Sequence, residues 1–243
     1  MIRGPLLLLP GLLCDATVWT PVLSNPAATL DDIADCRILD YGEADSIDAM
    51  ARGVLRQAPV KFALAGHSMG GRVALEVMRL APARVTRLAL LDTGYQARPD
   101  GAPGERERSE RMALLALARK EGMRAMGSRW AQGMVQMERL ADTALMNAIL
   151  DMIERKSADT FAAQINALLH RPDATALLPQ INCPTLILCG REDSWSPLAR
   201  HQQMAALLPR ATLEVIADCG HMSTMERPQT VAQAMRNWLE QPD

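Results

Sequence analysis

The sequence predicts one α/β domain over residues 1–243: a mostly parallel sheet with helices on both faces and a helical insertion at about 96–175. Three observations carry this. Short apolar runs alternate with stretches of helical period, the rhythm of strands joined by crossover helices. Several runs are unbroken, such as LLLL at 6–9 and LILC at 186–189, as strands covered on both faces require. The residues that follow several of the runs are those of turns and of chemistry.

Taken in order, the first strand is expected at 5–10, ending in Pro10-Gly11, and the second at 36–40. The third, at 60–65, runs into Gly66 and gives way at once to a helix with Val73, Val77 and Leu80 on one face. Strands at 88–92, 185–189 and 213–216 complete the sheet. A last helix, entered through Pro228, carries Val231, Ala234, Met235 and Trp238. No strand is expected between 96 and 175. That interval opens on a polar, Pro/Gly-rich stretch, ARPDGAPGERERSE, read as a linker. It continues with helical stripes at Leu145, Ile149, Met152 and Ile153, then Phe161, Ile165, Leu168 and Leu169. Two readings stand for it: extra covering helices, or a lid over a pocket.

Composition narrows the class. Hydrophobic residues at 49% and charged residues at 22% are globular proportions. A net charge of −2 leaves no basic field for nucleic acid or an anionic membrane. No run reaches the ~20 apolar residues of a membrane helix. The five cysteines are odd in number and scattered, with no C-x-x-C pair. That argues against a disulfide framework or a structural zinc, and fits reduced thiols in a cytoplasmic protein. Met1-Ile2-Arg3 followed by LLLLPGLLC resembles a signal peptide superficially. Pro10-Gly11 breaks it, and Leu13 rather than a small residue precedes Cys14. The stretch is read as a retained core strand.

In open parallel sheets, reacting groups gather outside the carboxyl ends of the strands. After the third strand stands Gly66-His67-Ser68-Met69-Gly70. Its plain reading is a tight turn with a capping serine; its sharper one is the G-x-S-x-G elbow that raises a nucleophile. The other strand ends supply partners. Gly190-Arg191-Glu192-Asp193 follows the fifth, and Asp218-Cys219-Gly220-His221 follows the sixth. A serine hydroxyl is a poor nucleophile until an imidazole takes its proton, and that imidazole needs a carboxylate to fix its tautomer. Each residue alone reads as structural. Together, in the order Ser, Asp, His, they point to catalysis.

On these residues the chain resembles the α/β-hydrolase fold superfamily. GHSMGG is similar to the elbow of its esterases, lactonases and carbon–carbon bond hydrolases; GREDSWSP resembles the acid loop and DCGHMSTMERP the histidine loop. The resemblance implies Ser68 as nucleophile, Asp193 as acid, His221 as base, and an oxyanion hole from the backbone N–H groups of Leu12 and Met69. It departs from the usual pattern in reading Pro10-Gly11 where His-Gly is common. It also starts directly at the first strand, without two antiparallel edge strands, and so resembles a minimal version of the fold. Serine at the nucleophile position argues against the haloalkane dehalogenase and epoxide hydrolase branches, which use a carboxylate there.

The neighbours are weighed in the same way. Asp92 ends a strand and rivals Asp193 as the acid, whereas Asp218 lies too close to His221 on one turn to orient it. His67 reads as packing, and His170 and His201 as surface residues in helices. Glu226 and Arg227 read as capping or pairing at the last helix. Cys14 and Cys219 read as small buried residues. Seven of the fifteen methionines fall between Met112 and Met152, either core filler or a compliant apolar ceiling. Trp195 and Trp130 are candidate pocket residues, Trp195 with the better positional reason.

The expected function is a cytoplasmic serine hydrolase that cleaves a small, mostly apolar carboxylic ester through an acyl-enzyme on Ser68, with no metal or organic cofactor. The same triad in relatives serves carbon–carbon bond hydrolysis, lactone opening, acyl transfer or elimination. A different class is a non-hydrolytic ligand-binding protein of the same fold.

Overall fold

A computed structural model of the chain describes residues 4–26 and 28–242, so Met1, Ile2 and Arg3 of the apolar N-terminal stretch lie outside the described residues. The six expected strands are all present: β1 Gly4–Leu9, β2 Ala34–Ile38, β3 Phe62–His67, β4 Val85–Leu91, β5 Thr185–Gly190 and β6 Ala211–Ile216. They form one sheet in the order β2-β1-β3-β4-β5-β6, with every neighbouring pair parallel. β3 and β5 are buried at every residue, and Leu6 to Leu9 of β1 are fully buried, whereas the edge strands β2 and β6 alternate. The unbroken apolar runs therefore mark the centre of the sheet. Strand limits follow backbone pairing more than side-chain polarity. β4 reaches back through polar Thr86 and Arg87, while Val60, expected in β3, stands outside it and exposed.

The helices are α1 Thr20–Leu23, α2 Ile47–Gln57, α3 Met69–Leu80, α4 Gly101–Glu121, α5 Met123–Trp130, α6 Thr143–Glu154, α7 Ala158–Leu169, α8 Leu198–Leu207, α9 Ser223–Glu226 and α10 Pro228–Leu239. Right-handed crossovers between parallel strands put α2, α3 and α8 on one face. α1 and α10, which pack on each other, cover the opposite one. The stripe on α10 is Val231, Ala232, Met235 and Trp238, with Ala232 taking the buried place expected for Ala234.

α4 to α7 lie between β4 and β5, in the interval without strands. Most of the expected linker there is helix, because α4 starts at Gly101. Its Glu- and Arg-rich run favours helix on propensity, and Glu107 pairs with Arg111 one turn on.

The topology also selects a place for chemistry. From β1 the chain moves to one side, to β2, and then returns past β1 to β3. The loops leaving β1 and β3 thus diverge and leave a crevice at their carboxyl ends. Pro10-Gly11 and Ser68 stand on its two sides.

Candidate active site

Ser68 occupies a turn that an L-residue adopts under strain, with φ 54° and ψ −117°, between the end of β3 and the first residue of α3. The turn is this sharp because its glycines let backbone touch backbone. A Cβ on Gly66 would stand 2.3 Å from the Gly70 carbonyl oxygen, and one on Gly70 would stand 2.3 Å from that of Leu9. The Ser68 N–H donates to Leu91 O at 2.9 Å, which anchors the elbow to β4.

Three residues distant in sequence meet above it. Ser68 Oγ lies 2.8 Å from His221 Nε2, and His221 Nδ1 lies 2.8 Å from Asp193 Oδ2. The other oxygen, Oδ1, accepts the backbone N–H groups of Trp195 and Ser196 at 2.9 and 2.8 Å. Burial alone would raise the Asp193 carboxyl, but the His221 charge and these bonds hold it below the usual carboxylate range. Burial alone would likewise lower the His221 imidazole, yet the charge and hydrogen bond of Asp193 hold it above its ordinary value. The arrangement keeps a carboxylate aimed at an imidazole, and that imidazole aimed at a hydroxyl.

Asp92 is also buried near His221 but faces elsewhere. Its Oδ1 accepts from Gly190 N at 3.0 Å, and its Oδ2 accepts the Ser223 hydroxyl and lies 3.6 Å from His67 Nε2. Burial, then the charge of Asp193, pushes its carboxyl well above the usual range. His67 is fully buried, as its packing role requires. Its Nε2–H donates to the carbonyl of His221 at 2.9 Å, and burial lowers its pKa to about 3, so it is neutral.

His170 is exposed, as expected. His201 corrects the expectation of a surface residue: it is fully buried, because α8 packs on β5 and β6. Its Nε2 accepts the N–H of Thr93 at 3.0 Å, at the exit of β4. Cys14 and Cys219 are buried, and burial first of all pushes the Cys14 thiol up to about 12 and raises that of Cys219.

The helical insertion grips the site. His221 N and Met222 N both donate to Met134 O, and Leu13 N donates to Gln164 Oε1 on α7 at 2.8 Å. Glu226 corrects another expectation. Instead of capping the last helix it is 1% exposed and folds back, accepting from Gly220 N, Met222 N and Gln136 N at 2.9–3.1 Å. Its signal in the sequence was ambiguous, since Ser223-x-x-Glu226 has the spacing of a capping box.

Over the site opens a cavity of about 1070 Å³. Leu12, Ser68, Met69 and His221 border it, so the loop after β1 and the elbow share one space. That loop presses on the elbow: a Cβ on Gly11 would stand 3.2 Å from Ser68 Cβ. One wall is apolar, with Leu114, Leu117, Met134 and the stacked rings of Trp130 and Trp195, 5.0 Å apart. Trp195 in turn lies 5.0 Å from the ring of His221. Another wall carries Arg72, Arg111, Arg171 and Arg200. Sequence reading missed these arginines because they stand far apart along the chain, and only the fold gathers them. Their presence qualifies the expectation of a mostly apolar substrate. Among the described residues no cluster of three or more His, Cys, Asp or Glu is placed to hold a metal ion, and no helix is long and apolar enough to cross a membrane.

Residues 6–234 match the model of the alpha/beta hydrolase family. The chain belongs to that family. Within it, the chain is 28% identical over 207 residues to a pimeloyl-[acyl-carrier protein] methyl ester esterase of Photobacterium profundum, covering 81% of this chain and 78% of the relative. It is 27% identical over 191 residues to a 2-hydroxy-6-oxononadienedioate/2-hydroxy-6-oxononatrienedioate hydrolase of Pseudomonas sp, covering 78% and 67%. Among solved structures, a thermophilic esterase from Thermogutta terrifontis superposes with a TM-score of 0.82 at 29% identity, over 98% of this chain and 90% of that one. The parallel sheet flanked by helices is the fold of this family.

Proposed function

We propose that the protein is a serine hydrolase that cleaves carboxylic esters through an acyl-enzyme on Ser68. The observation that carries this reading is the unbroken line of hydrogen bonds from Ser68 Oγ through His221 to Asp193, each 2.8 Å, on a strained turn facing a large cavity. In this reading Ser68 Oγ attacks the ester carbonyl as its proton passes to His221 Nε2. Asp193 holds Nδ1–H and stabilises the imidazolium. The N–H groups of Leu12 and Met69 receive the developing oxyanion, the second at the first turn of α3, where the helix dipole favours negative charge. His221 returns its proton to the departing alcohol, then takes one from the water that frees the acid.

The insertion acts as the cap of the pocket, with Leu114, Leu117, Trp130 and Met134 as its ceiling. Trp130 and Trp195 line the acyl or alcohol side. Ester cleavage is also named for a sequence relative and for the solved structure at 29% identity. The test is a short p-nitrophenyl ester with Ser68→Ala as the blank. A burst of phenolate equal to the enzyme concentration, and labelling of Ser68 by a fluorophosphonate, are the expected results. Binding without turnover across a broad ester panel would overturn the reading in favour of a ligand-binding protein.

A further inference from the structure

The arginine wall is not needed to break an ester bond. Arg72 stands one helical turn beyond Ser68 on α3, and side chains on a helix lean toward its N-terminus, here toward the nucleophile. Arg200 comes from α8, on the other side of the loop that leaves β4. The two guanidinium groups converge on Gly94 in that loop. A Cβ there would stand 2.6 Å from Arg72 Nη2 and 3.5 Å from Arg200 Nη1. Glycine keeps this gap open.

Each guanidinium is positioned by a backbone carbonyl: Arg72 Nη1 donates to Gln96 O at 2.8 Å and Arg200 Nη1 to Trp195 O at 3.1 Å. An arginine has five N–H donors, so most of them stay available. Nearby charge does not neutralise the pair. Glu107 is engaged by Arg171, at 2.6 and 2.8 Å, and by Arg111 at 3.0 Å. Among the described residues no carboxylate forms an ion pair with Arg72 or Arg200. Burial, then the charges of Arg171, Arg200 and Arg111, weigh against the charged form of Arg72, and Glu107 opposes them. A guanidinium does not lose its proton in a protein, so an anion bound here would offset the repulsion among these arginines.

We propose that the ester substrate carries a carboxylate, and that Arg72 and Arg200 receive it together beside Gly94. The planar fork of a guanidinium matches a carboxylate, and charge-assisted bonds of this kind are about twice as strong as neutral ones. The apolar wall takes the chain between carboxylate and ester. This inference rests on the hydrolase reading for its substrate, although the anion site itself does not depend on turnover.

The test compares mono-p-nitrophenyl esters of straight-chain dicarboxylic acids, from succinate to pimelate, with the corresponding monoamides, which are neutral and of similar shape. At one chain length or more, kcat/KM for the acid is expected to exceed that for the amide by on the order of tenfold to a hundredfold. Arg72→Met and Arg200→Met, on separate helices, are each expected to bring that ratio toward one, with Arg72→Lys in between. A ratio near one at every length in the wild type overturns the proposal, as does a ratio that both methionine variants preserve. If no ester turns over and Ser68 resists the fluorophosphonate, the hydrolase reading fails. The anion site is then judged by thermal unfolding. Stabilisation by a free dicarboxylate, absent with its diamide and lost in Arg72→Met, supports it; equal response to both overturns it.

Discussion

Glu226 and Gln136, ninety positions apart, are joined by a 2.9 Å hydrogen bond from the Gln136 N–H to the Glu226 carboxylate. The same carboxylate holds the N–H groups of Gly220 and Met222 on either side of His221. One buried side chain therefore ties the histidine loop to the helical insertion. Glu226→Ala would leave the N–H groups of Gly220 and Gln136 without their acceptor and Met222 N with Met134 O alone, at a cost of about 2–5 kcal/mol. The expected outcome is a lower Tm together with a fall in kcat that exceeds any change in KM, because His221 loses its placement. Glu226→Gln keeps an acceptor oxygen and should recover part of both. A variant with an unchanged Tm and full kcat would show that the loop holds its own shape.

The proposed acid is tested by comparing two buried aspartates. Asp193 bonds the imidazole at 2.8 Å, whereas Asp92 is engaged by Gly190 and Ser223. Asp193→Asn is expected to lower kcat by on the order of 10⁴, and Ser68→Ala and His221→Ala by at least as much, with double variants hardly worse than single ones. Asp92→Asn should be far milder in kcat, with its effect mainly on stability. Steady-state rates with unfolding curves for all four variants decide it; the reverse ranking of the aspartates would move the acid to Asp92.

The pH profile follows from the His221 environment. The base acts only when neutral. Burial pulls its pKa down, but the Asp193 charge and hydrogen bond outweigh that and hold it above its ordinary 6.5. The protonated, inactive form therefore persists to higher pH, and the acid limb of kcat/KM is expected above that value. In Asp193→Asn the two largest upward contributions are lost and only the weaker ones of Asp92 and Glu226 remain, so the limb of the residual activity should move down. A limb that lies at or below 6.5 in the wild type, or that does not move in the variant, contradicts this electrostatic account.

The proposed oxyanion hole is tested at Leu12, whose backbone rather than side chain would be the donor. Leu12→Ala should cost little in catalysis, whereas Leu12→Pro removes the N–H, and losing one such donor typically costs ~10²–10³ in kcat. Proline also restricts the residue before it, so both variants need intact thermal unfolding and full fluorophosphonate labelling for the comparison. Equal activity of the two would place the donor elsewhere.

The residues themselves determined a good deal. The unbroken runs at β1, β3, β4 and β5 announce buried parallel strands, and an alternation of strands and helices leaves few ways to connect them. Because ligands gather at the carboxyl ends of such strands, Ser68, Asp193 and His221 were legible as strand-end residues, and their meeting within hydrogen-bond distance follows from the order of the sheet. What depends on approach between distant segments was not legible. His201 looks like a helix-surface histidine until α8 packs against the sheet and brings it to Thr93 N. Glu226 looks like a helix cap until the insertion delivers Gln136 to it. Arg72, Arg111, Arg171 and Arg200 look like scattered solvated cations until three helices and the loop after α7 turn them onto one wall. Local patterns encode periodicity and turn chemistry, which act over a few residues. Burial of a charge and the choice of its partner are set by which surfaces the core brings together, and only the tertiary structure decides that.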